Sequence, residues 1–214
     1  MGRTLHFLLI LLIFVTGCAE NRIELRDTDF LGSDFSKQKV GLVNFFSVHK
    51  LFGMSKGVFS KKGEIVGSVG SPEQIYSNKE RIGDLDRAVL LKVEELLQGK
   101  VQLQRSWEKG KYYTKQSEIV TLLEESSLDA AMKLYVRYEA FDEKLRMKIT
   151  WKMYGKSGSL KVHIKTSASY QKKQPGPSTS TFHPQYKEIF LNLARKNSEN
   201  FLELLKGNRR AGEE

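Results

Sequence analysis

The stretch KLRMKITWKM, Lys144 to Met153, alternates without interruption between apolar and polar residues. Because successive side chains of a strand point to opposite faces, this period of two predicts a strand with one buried face. The apolar set is Leu145, Met147, Ile149, Trp151 and Met153. The opposite set is Lys144, Arg146, Lys148, Thr150 and Lys152, so the expected wet side is almost entirely cationic.

Two neighbouring segments repeat the alternation and extend it to a three-strand antiparallel meander over 131–140, 143–154 and 159–170. If all apolar sets face one way, the opposite face collects the basic residues of the three strands. This candidate anion-binding face is Lys133, Arg137, Lys144, Arg146, Lys148, Lys152, Lys161 and Lys165. Like charges across strands repel, which an anionic ligand would relieve. The alternative is a solvated face on which lysine discourages edge pairing.

The remaining segments mix strands and helices around the meander. The run at 39–48 predicts a strand buried on both faces, and 100–107 predicts a second strand. Helical spacing predicts helices over 85–98, over 115–125 and from Pro184 to Gly207. The expected fold class is α/β (α+β), a mixed sheet with an antiparallel three-strand meander and helices packed on one face. One domain would cover 39–206, followed by a disordered tail at 207–214.

The amino terminus has the pattern of a secretory signal over residues 1–17, with an apolar stretch at 5–15 after Arg3. Its end, Val15-Thr16-Gly17-Cys18, resembles the bacterial lipobox. That resemblance implies cleavage before Cys18, a diacylglycerol thioether on its sulfur and usually an N-linked acyl chain such as palmitate. Residues 18–38 would then form a lipidated amino terminus and tether. A plain secretory signal and a short membrane anchor remain as alternatives.

The place of Ala19 directly after the cysteine resembles outer-membrane sorting in enteric bacteria. The implied location is the bacterial cell envelope, lipid-anchored, at the outer membrane and facing the periplasm. The chain of 214 residues has a net charge of +10, which favours anionic partners. Cys18 is its single cysteine, which excludes an intrachain disulfide and zinc sites that need two cysteines.

The sequence contains no motif of a known active site in a recognisable setting. His49, His163 and His183 are far apart, and HExxH does not occur. A Gly-x-Ser-x-Gly occurs at 53–57, but it lies in a glycine-rich stretch that predicts a loop or a short hairpin. We therefore expect a protein that is not an enzyme, with no cofactor and no metal site, although folding can bring distant histidines together. An enzyme of an undetected type is the least favoured hypothesis.

Three stretches resemble CsgG-like and Tol-B amino-terminal-like envelope domains over residues 39–205. They are VGLVNFF, SEIVTLLEESSLDAAMKLYVRYEA and LRMKITWKMYGKSGSLKVHIKTSAS. The resemblance implies an envelope lipoprotein or periplasmic module that assembles with partners and performs no catalysis. The long insert of transmembrane strands found in CsgG-like proteins is absent, so pore formation is not expected.

These observations predict a membrane-anchored envelope lipoprotein that acts as a non-catalytic binding or assembly module. The alternative is a periplasmic carrier or chaperone for an anionic lipid or glycolipid, with a pocket beneath the sheet. Expected partners are the membrane, through the lipid anchor, and an anionic lipid, a glycolipid or an envelope protein. Nucleic acid is not expected, because an exported lipoprotein seldom meets it and the face has few aromatic side chains for stacking bases.

Overall fold

The computed structural model describes residues 21–31, 35–50, 65–70, 81–98, 102–105, 113–140, 144–171 and 184–207. The predicted signal peptide, Cys18, His183 and residues 208–214 lie outside these ranges. The strands are β1 (Arg22–Arg26), β2 (Lys39–Lys50), β3 (Ile65–Gly70), β4 (Gln102–Arg105), β5 (Ala130–Ala140), β6 (Lys144–Gly155) and β7 (Leu160–Gln171). The helices are α1 (Thr28–Leu31), α2 (Arg81–Leu97), α3 (Gln116–Glu125) and α4 (Pro184–Lys206).

All the described strands belong to one mixed sheet with the order β1-β7-β6-β5-β2-β3, and β4 also pairs with β2. Strands β5, β6 and β7 form the predicted antiparallel meander. Strand β2 runs parallel to β5 and β4 and antiparallel to β3. The predicted fold class, a mixed sheet with an antiparallel meander in an α+β fold, is confirmed.

The main core lies between the sheet and helices α2 and α4, and it takes up the apolar side of β6. Trp151 is fully buried and stacks on Phe201 of α4, with ring centroids 4.2 Å apart. Its indole Nε1 donates a hydrogen bond to Thr166 Oγ1 at 2.9 Å. Because burying an aromatic side chain contributes several kcal/mol, this layer accounts for much of the stability.

Two buried polar contacts fix the helices to the sheet. Ser47 Oγ of β2 donates to Asp86 Oδ2 of α2 at 2.6 Å, and both residues are buried. Asn197 Nδ2 of α4 donates to the carbonyl oxygen of Met147 in β6 at 3.3 Å. Since a buried polar group without a partner is unfavourable, these bonds favour one placement of each helix over the sheet.

Helix α3 lies on the opposite face of the sheet, which corrects the prediction that the helices share one face. Its apolar residues form a second cluster with Val43, Tyr113, Leu128 and Ala131; they are Ile119, Leu122 and Leu123. A register shift between β2 and β5 occurs at Val43, which belongs to this second cluster while Leu42 belongs to the main core. The small side chain of Ala131 leaves room for the helix. Among the described helices, α2 and α4 thus cover one face, and α3 covers one corner of the other.

Residues 22–31 are part of the folded domain, so the predicted tether over 18–38 is wrong for these residues. Strand β1 pairs with β7 at the sheet edge, and Ile23 packs against the main core. Asp27 Oδ1 accepts a hydrogen bond from the amide of Phe30 at 2.8 Å, which caps α1. Leu31 of α1 is buried. The polar, mixed-charge composition of the segment predicts a tether, whereas its pairing partner lies about 140 residues away in sequence.

Candidate functional site

The sheet face opposite α2 and α4 carries the predicted basic residues, and we call it the cationic face. Strand register brings Lys133 opposite Lys152, and Lys152 opposite His163. Two residues further along, Tyr135, Thr150 and Lys165 form a second row across β5, β6 and β7. The next row contains Arg137, Lys148 and Ser167, and the one after it contains Glu139 and Arg146. Lys144 lies opposite Gln171 at the end of β6.

Lys161 does not belong with the other predicted residues. The register of β6 and β7 shifts between Met153 and Tyr154, which displaces Lys161 from the alternation. Its side chain lies next to Gly155 and Phe30 at the end of the sheet. Its Nζ forms a salt bridge with Asp27 Oδ2 at 2.9 Å, and this contact lowers the pKa of Asp27. The predicted site therefore loses this residue.

Lys133 lies on the predicted face but is only 5% exposed. Its ammonium group donates a hydrogen bond to the carbonyl oxygen of Tyr113 and lies 4.8 Å from the ring centroid of Tyr154. Burial lowers the pKa of Lys133, while the nearby carboxylate of Glu118 opposes that shift. We call this region, Lys133 with Tyr113, Tyr154 and α3, the covered corner. The prediction that Lys133 faces an external anion is wrong, because Tyr113 lies over it.

Glu139 neutralises part of the remaining charge. Arg146 Nε lies 2.5 Å from Glu139 Oε2, and Arg137 Nε lies 3.9 Å from Oε1 of the same carboxylate. Glu139 is buried, so its contact with Arg146 is stronger than an exposed surface pair. The sequence contained this signal, because steps of two along β5 from Lys133 lead to Glu139 on the same face. At this place the face compensates part of its positive charge with its own carboxylate, without an external anion.

Aromatic rings occupy the middle of the cationic face. Phe46 of β2 and Tyr135 of β5 stack with centroids 4.7 Å apart and planes inclined by 12°. Lys152 Nζ lies 5.1 Å from the Tyr135 ring centroid, a cation–π distance. Tyr135 is half-buried, and burial raises the pKa of its hydroxyl. The phenol is therefore uncharged at neutral pH and adds no negative charge to the face.

Strand β1 adds charged residues to the face that the sequence interpretation missed. Glu24 contacts Lys165 and lies 2.7 Å from both His163 Nδ1 and Arg22. The hydrogen bond from Lys165 lowers the pKa of Glu24. Burial lowers the pKa of His163, and the charge of Glu24 opposes that shift while Lys152, Lys165 and Arg22 reinforce it. The signal was the short alternation Arg22-Ile23-Glu24, which we assigned to a tether.

A groove of about 300 Å³ lies where β1, β7 and β6 adjoin, and we call it the β1 groove. Its lining residues are Arg22, Lys148, Ile149, Thr150, Lys165, Thr166 and Ser167. All the charged residues in this lining are cationic. The hydroxyl groups of Thr150 and Ser167, which alternate onto this face, add neutral donors beside them, whereas the Thr166 hydroxyl lies in the core with Trp151. Such a combination can bind a phosphate or carboxylate group through charge-assisted hydrogen bonds.

A second cavity, of about 520 Å³, lies at the end of the sheet. Its lining residues are Phe30, Lys37, Gln38, Asp129, Gly155, Lys156, Ser157 and Lys161. Asp129 forms a salt bridge with Lys156 at 3.1 Å and accepts a hydrogen bond from the amide of Lys39 at 2.9 Å. The bond from Lys39, followed by the one from Lys156, lowers the pKa of Asp129. This cavity contains both signs of charge, so it does not share the cationic character of the β1 groove.

The described residues contain neither a cluster of metal-binding side chains nor a helix that could span a membrane. Within the described ranges, no group of three or more His, Cys, Asp or Glu residues could hold a metal ion. His163 lies beside Glu24, the His49 side chain is not described, and His183 lies outside the described ranges. None of the described helices is both long enough and apolar enough to cross a membrane.

Comparisons with known proteins give no functional assignment. No protein family matches the chain, and no curated protein matches it. One similar solved structure is that of a protein described only as uncharacterized. It is 11% identical, covers 80% of this chain and 92% of that chain, and has a TM-score of 0.34. A likeness this distant supports no argument about fold or function.

Proposed function

We propose that this protein is a bacterial envelope lipoprotein, anchored through Cys18, whose α+β body is a non-catalytic module for binding or assembly. The partner would present anionic groups, as an anionic lipid, a glycolipid or an acidic envelope protein does. The expected location is the outer membrane, facing the periplasm. The observation that carries the proposal is the cationic face with its β1 groove.

The charge arrangement of the face supports a bound anion. Outside the covered corner, cations lie directly opposite each other at Arg137 and Lys148. Directly opposed like charges destabilise a sheet by a few tenths of a kcal/mol to about 1 kcal/mol. Glu139 and Glu24 offset part of this repulsion, and an anionic ligand over β6 and β7 would offset more.

The single cysteine supports the membrane anchor. Cys18 follows an apolar stretch of signal-peptide length at the position that the lipobox resemblance requires. Each buried methylene contributes about 0.8 kcal/mol, and one acyl chain attaches only marginally, so two or three chains are needed for firm anchoring. A body tethered in this way meets membrane anions at high local concentration.

The alternative of a carrier with a pocket beneath the sheet receives no support from the described core. The side chains between the sheet and α4 contact each other closely, as Trp151 with Phe201 and Tyr138 with Phe190. Both cavities described above lie elsewhere, at the cationic face and at the end of the sheet. We therefore favour the binding module over the carrier.

The anchor is tested by labelling cells that express the full chain with radioactive palmitate. We expect label in the wild-type protein and none in Cys18→Ser, because the thioether forms on that sulfur. An unlabelled wild-type chain, or a labelled Cys18→Ser variant, contradicts the lipoprotein assignment.

The binding surface is tested with the mature chain, residues 18–214, carrying Cys18→Ser. We expect sedimentation with phosphatidylglycerol-containing vesicles, and a large loss of sedimentation in K144Q/K148Q/K152Q. The control is K92Q/K187Q/K196Q, which removes the same charge from α2 and α4 on the other side of the sheet. Equal losses in the two variants would mean that net charge alone drives sedimentation, which contradicts a binding face.

A further inference from the structure

We propose that the β1 groove docks on the anionic phospholipid headgroups of the same membrane that holds the anchor. The inference rests on the proposed function, because it requires a lipid on Cys18. It specifies which part of the cationic face contacts the bilayer and which class of ligand that part binds. It also specifies the orientation of the body, in which the β1 edge lies toward the membrane and α4 lies away from it.

The groove presents donors from three adjacent strands on one face. Arg22 lies opposite Lys165, and Lys165 lies opposite Thr150, so one row crosses β1, β7 and β6. In the next row Ser167 lies opposite Lys148. Since neighbouring strands are about 4.8 Å apart, one row spans roughly 10 Å, which is the scale of a single headgroup. Guanidinium, ammonium and hydroxyl donors are the groups that bind phosphate oxygens.

The balance of charge at the groove favours an anion. Arg22 and Lys165 share one carboxylate, that of Glu24, beside the lining. Lys148 supplies a further cation within the lining itself. The adjoining His163 has a pKa that burial lowers, so it is neutral at pH 7 and leaves this balance unchanged.

The length of the leading segment places this groove at the membrane surface. Only residues 19–21 separate Cys18 from Arg22. A fully extended chain of this length reaches about 14 Å, so Arg22 stays within that distance of the acylated residue. Asn21 is already attached to the sheet, since its side-chain oxygen accepts a hydrogen bond from the amide of Ser167 at 2.7 Å. The short tether therefore brings the β1 edge to the headgroups and keeps it there.

The orientation is tested with the lipidated protein in vesicles. Because lipidation uses the thiol of Cys18, a cysteine introduced by substitution is the only free thiol, and it can carry a fluorophore. Ser169→Cys places the fluorophore on β7 beside the groove, and Lys196→Cys places it on α4. Both residues are exposed. The vesicles contain phosphatidylcholine with or without phosphatidylglycerol, and a headgroup spin label quenches the fluorophore.

We expect stronger quenching at Ser169→Cys than at Lys196→Cys, and an increase at Ser169→Cys when phosphatidylglycerol is added. Each basic residue near an anionic membrane strengthens attachment about fivefold, so K148Q/K165Q should weaken docking about 25-fold. The matched variant K187Q/K196Q should leave quenching at Ser169→Cys unchanged.

Equal quenching at the two positions would overturn the inference, as would insensitivity to phosphatidylglycerol or to K148Q/K165Q. Binding of inorganic phosphate in the groove without any dependence on lipid would also overturn it and would assign the groove to a soluble anion. Failure of the anchor itself is distinguishable, because the wild-type protein would then be absent from washed vesicles.

Discussion

The covered corner and the β1 groove lie on the same sheet face and are built from the same alternating pattern, yet they differ in what lies above their lysines. Lys133 is nearly inaccessible beneath Tyr113, whereas Lys148 and Lys165 line a groove. The same residue type is therefore structural at one end of the face and a candidate ligand-binding group at the other. Sequence alternation identifies the face, and only the packing of α3 and β1 separates the two roles.

The largest expected difference concerns folding stability. Lys133→Glu would place a carboxylate against the Tyr113 carbonyl oxygen and near Glu118 in the covered corner. Because an unpaired buried charge destabilises strongly, we expect a loss of about 3–5 kcal/mol in the free energy of unfolding. Lys148→Glu, at the partly exposed groove, should change it by less than about 1 kcal/mol. Urea denaturation measures the loss of unfolding free energy in both variants. Equal losses would contradict the distinction between the covered corner and the β1 groove.

A smaller loss is expected at the turn that joins the covered corner to the hairpin of β6 and β7. Gly158 has φ +70°, and a Cβ atom there would lie 2.7 Å from the Gln116 carbonyl oxygen of α3. Gly158→Ala should therefore destabilise by roughly 1–3 kcal/mol, through backbone strain and displacement of α3. Hydrogen exchange should accelerate in α3 and not in β1. Faster exchange in β1 as well would mean that the two regions are not independent.

The carboxylate of Glu139 gives a prediction with opposite signs for stability and binding. Glu139→Gln removes the charge that Arg146 contacts at 2.5 Å, so we expect a loss of roughly 1–2 kcal/mol in the free energy of unfolding. The face gains one net positive charge, and binding to phosphatidylglycerol vesicles should strengthen about fivefold. Weaker binding by a folded variant would contradict a role for this face in binding anions.

The smallest expected effect is a pH dependence of the free energy of unfolding, which comes from His163 beside the β1 groove. His163 faces Glu24 and Arg22 on β1, Lys152 on β6 and Lys165 on its own strand. Burial lowers the pKa of His163 in the folded chain. The unfolded chain, in which the histidine has a pKa of about 6.5, therefore binds the proton more readily. The stability from neutral His163 is thus complete above about pH 7 and decreases as the pH falls below about 6.5.

This pH dependence is measured by denaturation between about pH 7 and pH 5. His163→Gln should flatten the slope in that window. The carboxyls of Glu24, Asp27 and Asp129 have lowered pKa values, so their loss of stability occurs at more acidic pH. An unchanged slope in His163→Gln would assign the effect to another group.

Long alternating patterns made the meander predictable, whereas short segments were not. In β6 every second residue is buried as expected, because five apolar side chains in register specify one face. Strand β1 has five residues and one, Ile23, that packs inward, so its pairing with β7 decides its structure. The position of α3 was unpredictable for another reason, since an amphipathic helix can cover either face of a sheet.

The candidate site was predictable as a face and not as a groove. The sequence placed most of the basic residues on one side, and the alternation of β5 also included Glu139. It could not identify Arg22 and Glu24 as neighbours of Lys165, because that contact depends on a pairing between distant segments. It could not show that Lys133 is covered, since Tyr113 reaches it through a tertiary contact.

The central claim is that the cationic face, outside the covered corner, binds an anionic membrane. Lysine acetylation of the wild-type lipidated protein tests this claim most directly. The reaction is carried out in phosphatidylcholine vesicles with and without phosphatidylglycerol and is analysed by mass spectrometry. We predict that phosphatidylglycerol protects Lys148 and Lys165 while Lys187 and Lys196 of α4 react unchanged. Uniform protection of all four lysines, or no protection of Lys148 and Lys165, would contradict the claim.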